Sequence, residues 1–287
     1  MGVNMQIERY IAHDGKNIEY LKYEHNNGDN CKKIVLLHGM FESIELYTDF
    51  AQYFFYAGYD VYIPEYRGNG KLREKEYTDF GEDRIDGVLE DLNIFIHDIF
   101  ANVNYRDIIL IGQGIGALLV TYLSINNKFK NILLSSMFME SRIVLNMNLA
   151  IAKIEAKFNK AESKLNSYYK LNFNKITNDP SVIKKLKENK EYNRLASPKY
   201  YIDIFRLLKY IKKNMKKIRE DINILMVYGG SDEDINNEKL KKYLTTINNK
   251  LRDIKILKNE KGRKNNLLEI NKKQVYNKIE NWLKNIK

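Results

Sequence analysis

The stretch Ile108-Ile109-Leu110-Ile111-Gly112-Gln113-Gly114-Ile115-Gly116-Ala117-Leu118-Leu119-Val120 reads as an apolar strand, a glycine-rich turn and the start of an apolar helix. In the pattern G-x-S-x-G, small flanking residues let a strand bend sharply into a helix and leave a nucleophilic serine exposed at the apex. Here the five-residue spacing survives with Gly114 at the apex. Glycine carries no atom that can attack a carbonyl, so nucleophilic catalysis by a hydroxyl cannot begin at this position. A dinucleotide reading fails on spacing. That fingerprint needs G-x-G-x-x-G in the first strand-to-helix unit, with an acidic residue about 20 positions on, whereas Gly112, Gly114 and Gly116 are evenly spaced and fall in a late unit.

Outward from this turn, the chain alternates strand and helix patterns. Gln6 to Ile11 and Asn17 to Tyr23 flank His13-Asp14-Gly15-Lys16, a hairpin with an Asp-Gly turn. Lys33 to Leu37 is a short continuous apolar run, as in a strand buried on both faces. Tyr47 to Ala57 is a helix closed by Gly58, and Asp60 to Ile63 a strand halted by Pro64. Ile85, Val88, Leu89, Leu92, Phe95, Ile96 and Ile99 form a helical stripe within Gly81 to Phe100, and Asn131 to Leu134 is another buried strand. From Met137 to about Arg219 there are helical patterns and the turn signal Asn178-Asp179-Pro180, but no convincing strand. Alternation resumes with Ile222 to Tyr228, Ile254 to Leu257 and a last helix from about Asn271 to Ile286. The pattern predicts an α/β fold, a mainly parallel sheet with helices on both faces, carrying one α-helical insertion. Its core spans 1–137 and 220–287 and its helical cap 138–219.

Composition narrows the function. The 287 residues are 44% hydrophobic, enough for a sizeable core. Cys31 is the only cysteine, so no intramolecular disulfide can form. No Cys/His group has zinc-ligand spacing, and neither metal nor cofactor is expected. There is no signal-peptide pattern and no run of 18 apolar residues, which points to a cytoplasmic protein. The net charge of +11 invites anionic partners. Its lysines are scattered, however, and Lys212, Lys213, Lys216 and Lys217 lie opposite the apolar Leu207, Leu208, Ile211, Met215 and Ile218, as on a solvated helix face. Weak association with anionic membranes fits this pattern, whereas nucleic acid does not, since no aromatic-and-basic motif accompanies the charge.

Ligands of open parallel sheets bind beyond the carboxyl ends of the strands. The candidate pocket residues there are His38, Gly39 and Phe41 after one strand and Gln113 at the glycine turn, with the backbone amides of Met40 and Ile115 facing a developing oxyanion. A carboxylate in Gly229-Gly230-Ser231-Asp232-Glu233-Asp234 could orient a histidine, or the loop could be a solvated acidic turn before a helix near Asn236. The loop Asn259 to Asn266 holds no histidine, and His13, His25, His38 and His97 all precede the apex. His97, in a helix, reads as structural or exposed.

Two segments carry a family resemblance. Val35-Leu-Leu-His-Gly-Met-Phe-Glu-Ser43 resembles a strand followed by H-G-x-x-E-H-S, with Glu42 matched and the next histidine absent. Ala57-Gly-Tyr-Asp-Val-Tyr-Ile-Pro-Glu-Tyr-Arg-Gly-Asn-Gly70 is similar to A-G-Y-x-V-x-x-x-D-x-R-G-x-G, with Glu65 for the aspartate, and Thr177 to Val182 resembles part of a lid. These are motifs of the monoacylglycerol lipase and lysophospholipase branch of the α/β-hydrolase fold, also labelled serine aminopeptidase-like. The resemblance implies that the insertion is a lid and that the family's nucleophile, acid and base fall on Gly114, Asp232 and Asn265. Of the three, only the acid is retained. Asparagine cannot accept and return a proton near neutral pH.

The expectation is a non-catalytic member of this branch that binds a small acyl or lipid-like ligand or a protein partner. The competing expectation is an active carboxylic-ester hydrolase with another nucleophile, Ser135, Ser136 or Ser231, or with water activated by Asp232.

Overall fold

Side chains along the central strands alternate between two apolar layers, as a pleated strand buried on both faces requires. In the computed structural model, which describes residues 5–25, 31–73, 76–138, 141–167, 172–189, 192, 195–232 and 254–286, the central strands are β3 (Lys33–Leu37), β5 (Ile108–Gln113), β6 (Asn131–Ser135) and β7 (Asn223–Gly229). Ile34, Leu36, Ile109, Ile111, Leu133 and Leu225 face one layer, together with Phe50 and Phe54 of α1 (Thr48–Tyr56) and Tyr276 and Ile279 of α8 (Lys272–Asn285). Val35, Leu37, Leu110, Ile132, Leu134 and Met226 face the other, with Val88 and Leu92 of α2 (Arg84–Ile99) and Leu118 of α3 (Ile115–Asn126). Helices therefore cover both faces.

The other strands are β1 (Met5–Ile11), β2 (Asn17–Tyr23), β4 (Asp60–Pro64) and β8 (Ile254–Asn259), and the sheet order is β1-β2-β4-β3-β5-β6-β7-β8. β1 pairs β2 and β2 pairs β4 antiparallel, and the remaining pairs are parallel. The sheet is thus mainly parallel, the α/β-hydrolase architecture that the sequence implied. Between β6 and β7 the described residues form α4 (Arg142–Lys157), α5 (Phe173–Ile176), α6 (Pro180–Glu188) and α7 (Pro198–Asn214). Leu207, Leu208 and Ile211 of α7 and the following Met215 and Ile218 are buried, while Lys213, Lys216 and Lys217 are exposed.

Three local readings shift. Pro64 does not halt β4 but is its last residue, opposite Tyr20. Helix α2 begins at Arg84 rather than Gly81, because Gly81 (φ 85°) and Arg84 (φ 59°) occupy left-handed conformations that make a turn first. Asn178-Asp179-Pro180 is a helix start, in which the Asp179 side chain accepts from Ser181 N at 2.9 Å and Pro180 opens α6. Glu233, Asp234 and the helix expected near Asn236 lie outside the described residues.

Leu36 is wholly buried in a central strand. Leu36→Ala is expected to lower the unfolding free energy by about 2 to 5 kcal/mol, read by urea denaturation.

Candidate functional site

The bend between β5 and α3 is built by contact between backbones. A Cβ on Gly116 would stand 2.1 Å from the Leu37 carbonyl oxygen, and one on Gly112 would stand 2.4 Å from the Gly116 carbonyl oxygen. Both glycines are required by this close approach. Gly114, the N-cap of α3 at φ 55° and ψ −112°, differs from them. A Cβ there would meet only the Gly39 Cα, at 4.0 Å. Packing therefore excludes side chains from the flanks of the bend but leaves space for one at its apex.

That space is part of a cavity of about 120 Å³. Gly39, Met40 and Glu42 approach it from the loop after β3, Gln113, Gly114 and Ile115 from the bend, Ser136 from the end of β6, and Lys264 and Asn265 from the loop after β8. The helical excursion supplies an apolar wall from Phe138, Ile176, Tyr200, Tyr201, Ile204 and Phe205. The Gly39 N–H donates to Glu42 Oε2 (2.6 Å) and the Phe41 N–H to Asn69 Oδ1 (3.2 Å). Among the described residues no hydrogen bond engages the N–H of Met40 or of Ile115. Ile115 opens α3, where amides have no partner within the helix and the helix dipole is positive. Met40 and Ile115 thus border the cavity with amides that no hydrogen bond among the described residues engages.

Asn265, where the resemblance places the base, is buried and committed to structure. Its Nδ2 donates to Glu42 Oε1 (2.7 Å) and to the Tyr47 hydroxyl (2.9 Å), and its Oδ1 accepts from Leu267 N (3.1 Å), capping a short helical turn. Tyr47 also donates to Glu42. Burial raises the Glu42 carboxyl above its ordinary range, although Tyr47, Gly39 and Asn265 all oppose the shift. The bracket joins the loops after β3 and β8 across the cavity and offers no group that exchanges a proton as an imidazole does.

Gly39 and Gln113 line the cavity, as do Met40, Gly114, Ile115 and Asn265, whereas His38 and Phe41 do not. His38 is wholly buried beneath the loop, its ring stacked on Tyr66 at 4.2 Å, with Nδ1 against the Gly39 carbonyl (3.0 Å) and Nε2 against Glu65 Oε2 (3.2 Å). Burial opposes its protonation, but the Glu65 carboxylate outweighs that and raises the pKa. Phe41, at φ 63°, turns into the core. Asp232 is half-buried outside the lining, in a loop held against the β8 turn by bonds from Gly230 N to Asn259 O (2.7 Å) and Ser231 N to Gly262 O (2.9 Å). Ser135 is buried outside the lining and Ser231 is exposed.

The other histidines are elsewhere. His13 meets Asp91 (2.6 Å) and Asp83 (3.2 Å), and His97 is exposed beside Asp98. His25, Cys31 and Asp60 bring one ligand atom each within 4.8 Å of one another, a grouping that spacing did not reveal, because Asp60 lies a helix and a strand further on. Asp60 is already engaged by Lys33 (2.6 Å) and His25 (2.8 Å).

The family model for serine aminopeptidase, S33, matches residues 28–260. The chain belongs to this family. No curated protein sequence matches it. Among solved structures it is similar to a carboxyl esterase from Bacillus coagulans in complex with glycerol, at 15% identity and a TM-score of 0.81, with 99% of each chain covered. It is also similar to a monoacylglycerol lipase from Paleococcus ferrophilus, at 18% identity and a TM-score of 0.73, covering 93% of this chain and 98% of that one. A soluble variant of monoglyceride lipase from Saccharomyces cerevisiae, in complex with a substrate analog, gives 18% identity and a TM-score of 0.75, with 99% and 95% covered. At such identities the likeness shows the fold. The family's fold is therefore present here with glycine at the apex of the bend.

Two measurements test this geometry. Gly116→Ala forces two backbones apart and is expected to destabilise by about 1 to 3 kcal/mol or more in urea denaturation. Gly114→Ala meets only the strain of its positive φ, about 1 to 2 kcal/mol. The raised pKa of His38 means that its stabilising contribution is fully present below about pH 6.5, the ordinary histidine value, and is lost as pH rises through the raised one. Thermal melts should therefore fall more steeply with rising pH above about 6.5 in the unsubstituted protein than in His38→Gln.

Proposed function

We propose that this family member does not hydrolyse esters and instead binds a small acyl or lipid-like ligand in the cavity at Gly114. One observation carries the reading. The apex has room and two unengaged amides but no nucleophile, and the side chain at the base position is tied to Glu42 and Tyr47. Loss of triad members leaves a residual enhancement of roughly 10³ to 10⁴ over water, from the oxyanion site and binding alone. The apolar wall from α7 and the acylglycerol lipases among the structural relatives support an acyl ligand.

No described helix is long and apolar enough to cross a membrane. On α4 and just beyond it, Ile143, Met147, Ile154 and Phe158 are exposed beside Lys153 and Lys157, which supports a transient contact with anionic lipid as part of the same proposal.

A second reading has one observation in its favour. Ser136 lines the cavity with φ 45°, an uncommon conformation for a residue other than glycine, and its Oγ receives Asn266 Nδ2 at 3.4 Å. No histidine lines the cavity to activate it.

Turnover of short-chain nitrophenyl esters is expected to show no more than this residual enhancement, roughly 10³ to 10⁴ over water, and to be the same in Ser136→Ala. Turnover that vanishes in Ser136→Ala would establish the second reading. Fatty acids or monoacylglycerols are expected to raise the melting temperature, and a uniformly negative screen would remove the binding reading.

A further inference from the structure

We infer that the ligand held at Gly114 is a short free carboxylate rather than an ester, an inference that rests on the binding reading above. The missing side chain changes what the bend can hold. With a serine at the apex, its side chain takes up the space beside the two amides. With glycine, a Cβ position has nothing nearer than the Gly39 Cα at 4.0 Å, so the second oxygen of a carboxylate occupies the vacated volume while the first faces the amides of Met40 and Ile115. The start of α3, a helix of 12 residues, favours negative charge at that point.

A side chain outside the bend points the same way. Tyr200 is wholly buried and lines the cavity, and its hydroxyl has no hydrogen-bond partner within the protein. Burial keeps its ionisation well above the ordinary tyrosine range, so it remains a donor in search of an acceptor. A buried donor left unpaired is unfavourable, and a charged acceptor relieves it better than a neutral one. Gln113 Oε1 is the other buried oxygen in this lining without a partner, while its Nε2 donates to the Lys264 carbonyl at 3.0 Å. Glu42 does not compete for the site, since Gly39, Tyr47 and Asn265 all donate to it.

Volume sets the chain length. The cavity of about 120 Å³ is somewhat smaller than the ~150 Å³ apolar cavity that admits benzene. Acids of about the size of butanoate fit, whereas benzoate or a long acyl chain requires α7 or Phe138 to move.

Titration calorimetry with sodium propanoate and sodium butanoate, against their methyl esters and the matching alcohols, tests the inference. The acids are expected to bind at least about tenfold more tightly than esters or alcohols, the difference of one hydrogen bond to a charged group. Tyr200→Phe is expected to weaken acid binding by about tenfold to a hundredfold and alcohol binding by less, with the melting temperature not lowered, because the lost hydroxyl has no partner in the protein. Gly114→Ser, which refills the vacated volume, is expected to weaken the acids as well. Esters or alcohols that bind as tightly as the acids, or a Tyr200→Phe variant with unchanged acid affinity, would overturn the carboxylate inference and leave the binding reading standing. If acids, esters and alcohols all fail to bind, the binding reading itself falls.

Discussion

The contact of the Gly116 backbone with the Leu37 carbonyl fixes everything around it. It presses the first turn of α3 against the end of β3, which only a residue without a Cβ permits, and so forces the chain to reverse within the few residues after β5. The loop after β3 is thereby set beside the apex, and two backbone amides from different parts of the chain line one cavity. None of this needs a side chain at position 114. A scaffold whose geometry is written in backbone contacts keeps its pocket whatever side chain stands at the apex.

The position where the resemblance places the base is held in a different way. Asn265 is not simply an inert replacement, because its amide donates to a buried carboxylate and a buried phenol while its carbonyl caps the next turn. Three polar groups that would each be unfavourable alone in the interior satisfy one another. An imidazole could not make the same three bonds, so the bracket and a histidine base at this position exclude each other. The loop after β8 is here tied to the loop after β3 through Glu42 and Tyr47.

The elements were largely legible in the sequence, since β3, β5, β6 and β7 are unbroken apolar runs and α2 and α7 show a helical period. The bend was legible because its glycines have a steric cause. The bracket was not, because Glu42, Tyr47 and Asn265 are brought together from opposite ends of the chain and each is unremarkable in its own segment. His38 was misread for a related reason. A histidine ending a buried strand has the same sequence signature whether it points to the cavity or beneath the loop, and only Glu65, across the neighbouring strand, decides for the latter. Tyr200 resembles any core residue of an amphipathic helix until its hydroxyl is seen to lack a partner.

The central claim is that no activated nucleophile faces the cavity. Intact-protein mass spectrometry after incubation with a fluorophosphonate tests it without assuming any ligand. An unmodified mass at long exposure is the expected result, and a stoichiometric adduct, on Ser136 or any other residue, would contradict it.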